Sequence, residues 1–196
     1  MTSPTLCGDL GEAWLLRADA QDNRNRILAA AEEIFGQAPG ASTEDVAKLA
    51  GVGIGTVFRH FPTKTELLEA VLTVRLARLR DRATELAGEA DAGAAFFGFF
   101  SQVVAEASTK LAIAEALLAS GSAVGDAARS AGAGMREAFG ILLSRAQQSN
   151  AVRADAEFPE VYALLIGASR GATAVDLEPA VRDKMLELLY DGLRPR

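Results

Sequence analysis

The chain of 196 residues is predicted to be all-α, with an amino-terminal helix-turn-helix unit and a longer carboxy-terminal helical part. Beyond Pro62, apolar residues recur at helical spacing, and continuous strand-like alternation is absent. The segment from Ser42 to Leu68 contains two short helix patterns joined at Gly51, and a third that opens with its own capping residues. Hydrophobic residues make up 49% of the chain, which is ample for a globular core.

The tight turn at Gly51 is the central feature of the helix-turn-helix prediction. The small side chain of Ala47 allows two helices to cross closely, and Gly51 is free to adopt the positive φ that an abrupt reversal requires. Val57 is expected to point back into the angle between the helices. Because the second helix of such a motif enters the major groove, the segment indicates DNA binding.

The helix boundaries of this unit also have chemical causes. Ser42 and Asp45 form a capping-box pattern at the start of the first helix of the motif. Pro62 ends the second helix, and Thr63 with Glu66 opens the next one. The expected apolar face of the small core consists of Val46, Leu49, Ala50, Val52, Ile54, Val57 and Phe61.

These features in this order resemble the DNA-binding domain of TetR-type transcriptional regulators. The matching signature residues are Gly51-Val52, Gly55-Thr56, Phe58, His60-Phe61 and Lys64. The segment ADAQDNRNRILAAAEEIF looks like the family's first helix. The resemblance implies a TetR-like fold, with a helix-turn-helix DNA-binding domain over 17–70 and a helical effector-binding and dimerisation domain over 71–196. Residues 1–16, which include Pro4 and two glycines, are predicted to form a flexible arm.

The resemblance further implies phosphate contacts for Thr43, His60 and Lys64. Thr43 stands at the amino end of its helix, where backbone N–H groups and the helix dipole favour an anion. His60 is the sole histidine of the sequence, so it cannot form a metal site or a catalytic triad with a second one. Lys64 as an ordinary solvated charge is the alternative.

Base-facing contacts are implied for Gly55, Thr56, Phe58 and Arg59. Gly55 would permit close approach, Thr56 would face base edges or the backbone, and Phe58 would touch a thymine methyl or a sugar. Arg59 would read a guanine or hold a phosphate. The family commonly has Tyr at the position of Phe58, so a hydrogen bond from this side chain to phosphate is lost. A core position for Phe58 and a solvated charge for Arg59 are the alternatives.

The charge distribution limits how this DNA binding can work. The formal net charge is −6, which is the opposite of the usual basic footprint of a nucleic-acid-binding protein. Between Gly53 and Lys64, however, there are Arg59 and His60 and no Asp or Glu. Arg17, Arg24 and Arg26 extend this patch in the prediction. Affinity is therefore expected to come from a focused patch, with moderate salt dependence.

Two apolar stripes at helical spacing near the carboxyl end predict a dimer interface. They comprise Val161, Leu164, Leu165, Ala168 and Ala172, followed by Met185, Leu188 and Leu189. In TetR-like proteins the last two helices pair with their symmetry mates, so the resemblance implies a homodimer. Intramolecular core is the alternative for each residue. A two-fold dimer would read a palindromic operator, because one recognition helix covers only a few base pairs.

Between these regions the sequence offers a candidate pocket for an unknown small-molecule effector. Its expected lining is Phe96, Phe100, Leu117, Leu118, Met135, Phe139 and Leu142. Glu106, Glu115, Arg136 and Arg145 are candidate polar groups in the same helices. The implied role is that of a ligand-responsive repressor, because most TetR-type regulators repress by covering promoter DNA.

Other classes of protein fit the sequence less well. With one His, one Cys and no clustered metal-ligand spacing, no enzyme activity, catalytic residue, metal site or cofactor is predicted. The glycines at 51, 53 and 55 do not match a dinucleotide-binding loop, because the third comes one residue early and no strand precedes them. A helical interaction protein that has lost DNA binding stays open, given the acidic charge and Phe58. Short apolar runs and the absence of an export signal predict a cytoplasmic protein without membrane contact.

Overall fold

The computed structural model describes residues 8–38, 40–107, 113, 114, 117 and 125–196, with side chains from residue 18 onward. Over these residues the fold is all-α, as predicted. The helices are α1 (Gly8–Gln37), α2 (Thr43–Ala50), α3 (Ile54–His60), α4 (Lys64–Leu86), α5 (Ala92–Ala105), α6 (Asp126–Gln148), α7 (Phe158–Ala174) and α8 (Pro179–Leu193). None of the helices in the described ranges has both the length and the apolar character needed to cross a bilayer.

The chain divides into two compact units, Met1–Val71 and Leu72–Arg196. The amino-terminal unit contains α1 to α3 and the start of α4, and the carboxy-terminal unit contains the rest of α4 with α5 to α8. The division lies next to the boundary predicted between residues 70 and 71. Helix α4 is continuous through this point, so one helix belongs to both units.

The start of α1 corrects the prediction of a flexible arm over residues 1–16. The helix begins at Gly8, so residues 8–16 have helical backbone, while residues 1–7 lie outside the described chain. The glycines of this stretch suggested irregular structure, but each glycine costs a helix only about 1 kcal/mol relative to alanine. Leucine, alanine and glutamate, which favour helices, occupy most of the intervening positions.

The core of the amino-terminal unit forms where α1 packs against α2 and α3. Ile27 and Phe35 of α1 are fully buried together with Val46 of α2 and Val57 of α3. Two residues predicted for this core are instead exposed, and they are Leu49 and Ile54. Ile54 is the first residue of α3, and helical side chains tilt towards the amino end, so its side chain extends past the start of the helix instead of into the core.

The core of the carboxy-terminal unit is rich in aromatic side chains. Phe96, Phe99 and Phe100 of α5 are fully buried, and the rings of Phe96 and Phe139 stack at 5.6 Å between centroids. The Tyr190 hydroxyl donates to the Phe97 carbonyl at 3.1 Å, and burial raises the pKa of Tyr190 to about 12. These contacts tie α5 to α6 and α8.

Candidate nucleic-acid interface

The turn between α2 and α3 has the geometry that the sequence predicted. Gly51 adopts φ 65° and ψ 36°, which is the left-handed conformation that glycine reaches without steric cost. The N–H of Val52 donates to the Ala47 carbonyl at 3.1 Å, and the N–H of Gly51 donates to the Lys48 carbonyl at 3.2 Å. This is a Schellman-type end to α2, which satisfies carbonyls that would otherwise be unpaired and directs the chain into α3.

Both predicted helix starts are present. The Asp45 N–H donates to Ser42 Oγ at 3.2 Å, and the Ser42 N–H donates to Asp45 Oδ2 at 3.1 Å. Hydrogen bonds from Ser42 hold the pKa of the Asp45 carboxyl below its ordinary value. At the start of α4, the Glu66 N–H donates to Thr63 Oγ1 at 3.2 Å. These caps fix the ends of α2 and α4 around the short α3.

Helix α3 presents one continuous exposed face. Ile54, Gly55, Phe58 and Arg59 are exposed on it, at the i, i+1, i+4 and i+5 positions that share a helix face. Phe58 is 44% exposed, so the alternative of a core position is wrong for this residue. Val57 is fully buried on the opposite side and anchors the helix.

On the exposed face of α3, Gly55 leaves the backbone open to close approach, and Arg59 supplies a positive charge. A Cβ added at Gly55 would meet no atom within 4 Å, so no neighbouring protein atom requires glycine at this position. Arg59 has no hydrogen-bond or ion-pair partner among the described residues. Helix α3 contains no acidic residue, and Thr56 and His60 are half-buried at its edges. A negatively charged ligand with a groove wide enough for this helix would therefore meet no electrostatic repulsion from α3.

Thr43 and the arginines of α1 are placed differently from the simplest expectation. Thr43 is the first residue of α2 and is only 9% exposed, and its contact with a phosphate through the backbone N–H stays a prediction. Arg26 pairs with Asp22 at 3.2 Å and donates to the Ala50 carbonyl at 3.2 Å. The guanidinium of Arg24 lies 5.2 Å from the centroid of the Phe61 ring. Both arginines therefore help to hold the unit together.

Lys64 has a structural role that the sequence did not reveal. Its Nζ donates to the Ala41 carbonyl at 2.6 Å and lies 5.1 Å from the centroid of the Phe35 ring. The ammonium group thus connects the start of α4 with α1 and with the segment before α2. The alternative of a solvated charge is wrong for this residue, and its phosphate contact stays a prediction.

Replacing Lys64 by Ala is expected to lower the free energy of unfolding by about 1–2 kcal/mol, because a charged hydrogen bond and a cation–π contact are both lost. Urea denaturation of the full chain measures this change. Lys48→Ala is the control, since the Lys48 side chain is 80% exposed and forms only a long pair with Asp45. Equal stability of the two variants would contradict the structural role of Lys64.

The predicted dimer residues fall into two groups. Val161 and Leu165 are 0% exposed, and Ala168 and Ala172 are buried, so these four belong to the core of their own subunit and offer no surface to a partner. They lie on the side of α7 that packs against α5. Leu164 and Leu188 are 43% and 66% exposed, and Met185 and Leu189 are half-buried. The apolar stripe is wide enough for both roles, so periodicity alone did not separate them.

The predicted pocket residues are mainly core residues. Phe96, Phe100, Leu117, Phe139 and Leu142 are at most 1% exposed, and Leu118 lies outside the described residues. Met135 does line a cavity of about 540 Å³ between α4, α6 and α7. Of the candidate polar groups, Arg136 lines the same cavity. Arg170, which also lines it, was missed, although it follows Tyr162 and Ile166 at intervals of four residues.

Comparison with known proteins identifies the family. A model described as "Bacterial regulatory proteins, tetR family" matches residues 27–71, and one described as "Transcriptional regulator SbtR-like, C-terminal domain" matches residues 91–195. The two matches cover the helix-turn-helix unit and most of the carboxy-terminal unit. The chain belongs to the TetR family of DNA-binding transcriptional regulators. Members of this family are regulators and not enzymes, as predicted.

Individual relatives agree with this assignment. The TetR transcription regulatory protein of Mycobacterium vanbaalenii is 35% identical, with a TM-score of 0.75 over 92% of this chain and 99% of its own. The regulator SCO0520 of Streptomyces coelicolor is 31% identical, with a TM-score of 0.72 over 88% of this chain and 98% of its own. The HTH-type transcriptional regulator SAR0097 of Staphylococcus aureus is 38% identical over 66 residues, which are 32% of this chain and only 35% of that protein.

Proposed function

We propose that this protein is a repressor that binds a palindromic operator as a homodimer and leaves it when a small molecule binds the carboxy-terminal unit. It would act in the cytoplasm by covering promoter DNA. The observation that carries the proposal is the exposed face of α3, with Gly55, Phe58 and Arg59 side by side and no carboxylate on the helix. Such a face fits the major groove, where an arginine can bond to guanine and an apolar ring can touch a thymine methyl.

A homodimer is supported by the outward side of α7 and α8. Leu164 and Leu188 expose large apolar side chains there. Gly167 and Gly171 lie on the outward side of α7, where an added Cβ would meet no atom within 4 Å. Small residues beside exposed leucines let another helix approach closely. Two copies of α3 would then read two half-sites about 34 Å apart.

A modest salt dependence follows from the charge distribution. On the exposed face of α3, Arg59 carries a positive charge and has no ion-pair partner among the described residues, while the net charge of the chain is −6. Each phosphate that is neutralised contributes about −0.9 to the slope of log affinity against log salt concentration. Few neutralised phosphates per subunit therefore imply weak non-specific binding, so that base contacts must supply much of the affinity.

Release by an effector follows from thermodynamic linkage. A ligand that binds better to a dimer whose recognition helices are badly spaced must weaken DNA binding by the same factor. Helix α4 is the proposed mechanical link, because it begins at Lys64 in the amino-terminal unit and carries Leu72 and Leu76, which line the cavity of the other unit.

Replacing Arg59 by Ala is expected to weaken operator binding by about ten- to a hundredfold, because a base or phosphate contact is lost. Fluorescence anisotropy with labelled DNA from the region upstream of the gene measures this change. Arg82→Ala is the matched control, since it removes the same charge from a site on α4 where the guanidinium pairs with Glu85 at 3.2 Å. Equal affinities of the two variants would contradict the role of α3.

A second candidate is a helical interaction protein that keeps the fold without binding DNA. The net charge of −6 and the absence of a hydroxyl on Phe58 favour it. The same titration separates the two, because this candidate predicts no salt-sensitive binding to any duplex. Saturable binding by the wild type, weakened by Arg59→Ala, would exclude it.

A further inference from the structure

We propose that the carboxy-terminal unit binds a small amphipathic anion, in which an acidic head is joined to an apolar body. The site is the cavity between α4, α6 and α7, with a volume of about 540 Å³. This inference rests on the proposed function, because it names the chemical class of the effector. The volume lies within the range of about 300–1,000 Å³ that is usual for small-molecule sites.

Apolar side chains from three helices form much of the cavity wall. Leu72 and Leu76 come from α4, Met135 comes from α6, and Ile166 comes from α7. Leu72, Leu76 and Met135 are buried, so they form a fixed inner surface. A hydrocarbon or aromatic body would leave water on binding here, which stabilises the complex by roughly 25 cal/mol for each Å² of apolar surface buried.

The same cavity is lined by three arginines, and its described lining contains no Asp or Glu. Arg129 forms an ion pair with Asp126, in which Nη2 of the arginine contacts Oδ1 of the carboxylate. Arg136 and Arg170 have no hydrogen-bond or ion-pair partner among the residues that the structure describes. Two exposed guanidinium groups, one from α6 and one from α7, therefore lie at this site without an ion-pair partner in the described part of the chain.

The position of Arg136 places its charge at the cavity wall. Its Nη1 lies 4.0 Å from the point that a Cβ on Gly132 would occupy, and Gly132 also lines the cavity. On α7, Tyr162 and Ile166 precede Arg170 at intervals of four residues, which puts all three on one face of that helix. This face is distinct from the outward side of α7 that carries Leu164, Gly167 and Gly171.

Guanidinium groups bind carboxylates and phosphates through paired N–H donors, and these charge-assisted bonds are stronger than neutral ones. The half-buried Tyr162 adds a hydroxyl that can donate to the same head. Arg136 and Arg170 are both exposed, so a neutral ligand would leave them hydrated and gain no ion pair, whereas a cationic ligand would be repelled. The apolar wall together with Arg136 and Arg170 thus favours a ligand that has an apolar body and a negatively charged head.

Calorimetric titration of the full chain with four probes that share one hydrocarbon tail tests this selectivity. Decanoate and decyl phosphate carry acidic heads, decanol is neutral, and decyltrimethylammonium is cationic. At least one of the two anions is expected to bind at least about tenfold more tightly than decanol, and the cation is expected to bind most weakly. The two anionic arms show whether a carboxylate or a phosphate is preferred. Equal binding of both anions and decanol would overturn the proposal.

Variants then identify the groups responsible. Replacing Arg136 and Arg170 together by Gln is expected to weaken binding of the preferred anion by at least about tenfold and to leave decanol binding unchanged. Arg82→Gln is the control, and its effect is expected to stay below about threefold because Arg82 lies outside the cavity lining and pairs with Glu85 at 3.2 Å. An equal loss in the control would overturn the proposal, as would unchanged anion binding by the double variant. If the double variant instead became monomeric, the cavity residues would act in contact between subunits, and the proposal of an anion site would also be overturned.

Operator binding by the same proteins separates this inference from the proposed function. The double variant without ligand is expected to bind DNA as the wild type does, because none of the substituted residues lies in the amino-terminal unit. Failure of decanoate and decyl phosphate to bind a protein that still binds its operator would overturn the inference alone. Tight anion binding without release of DNA would support the ligand class and contradict the proposed response.

Discussion

Replacing Leu164 and Leu188 together by Asp is expected to convert the protein from a dimer into a monomer. The two side chains are 43% and 66% exposed within the subunit, so both carboxylates would be solvated in the monomer and buried without partners in the dimer. Since each monomer then holds a single half-site, operator affinity should fall by at least about a hundredfold. Light scattering reports the mass in solution, and anisotropy reports the affinity.

The matched control for this double variant is Ile141→Asp. Ile141 is an exposed aliphatic residue that belongs to α6 and not to α7 or α8. The Ile141→Asp variant should keep the mass in solution and the operator affinity of the wild type. A Leu164/Leu188 variant that keeps the mass of the wild type would refute the proposed dimer face.

Replacing Gly55 by Leu is expected to raise the stability of the protein while it weakens DNA binding by at least about tenfold. Leucine gains about 1 kcal/mol in helix propensity over glycine. An added Cβ would meet nothing within 4 Å, so the leucine side chain would extend from the exposed face of α3 without a clash inside the protein. It would hold the helix away from the bases. Thermal denaturation and anisotropy measure the two effects separately.

Gly98→Leu is the control for that experiment. Gly98 is an exposed helical glycine of α5, and a Cβ added there would also meet nothing within 4 Å. This variant should show the gain in stability without any loss of affinity. If Gly55→Leu bound the operator as tightly as Gly98→Leu does, α3 would not be the recognition helix.

The sequence predicted the turn and the helix caps because these depend on neighbouring residues. The positive φ of Gly51, the pairing of Ser42 with Asp45 and the pairing of Thr63 with Glu66 are all decided within a few positions. Local steric limits and hydrogen-bond geometry are the same in every fold, so such features can be derived without a tertiary structure.

Features that depend on distant partners could not be predicted in the same way. The carbonyl that Lys64 binds belongs to Ala41, which is 23 positions earlier in the chain. Similarly, the apolar stripe of α7 did not show that Val161 faces the core whereas Leu164 faces outward. Periodicity places residues on one side of a helix, but it does not say whether another helix of the same subunit covers them.

The cavity shows the same limit for charged residues. Arg129, Arg136 and Arg170 look alike in the sequence, and each lies in a helix where a solvated charge is the usual interpretation. The structure separates them, because Arg129 is paired with Asp126 while the other two have no partner in the described part of the chain. That difference depends on side-chain packing and has no signature in residue spacing.

A dimer that reads DNA through α3 can be tested by letting the protein select fragments from random duplex DNA. Sequencing is expected to reveal one enriched motif, made of two inverted half-sites whose centres are about one helical turn apart. The Arg59→Ala protein should enrich this motif poorly at the same protein concentration. Enrichment of no motif, or of a single half-site without an inverted copy, would contradict a dimer that reads DNA through α3.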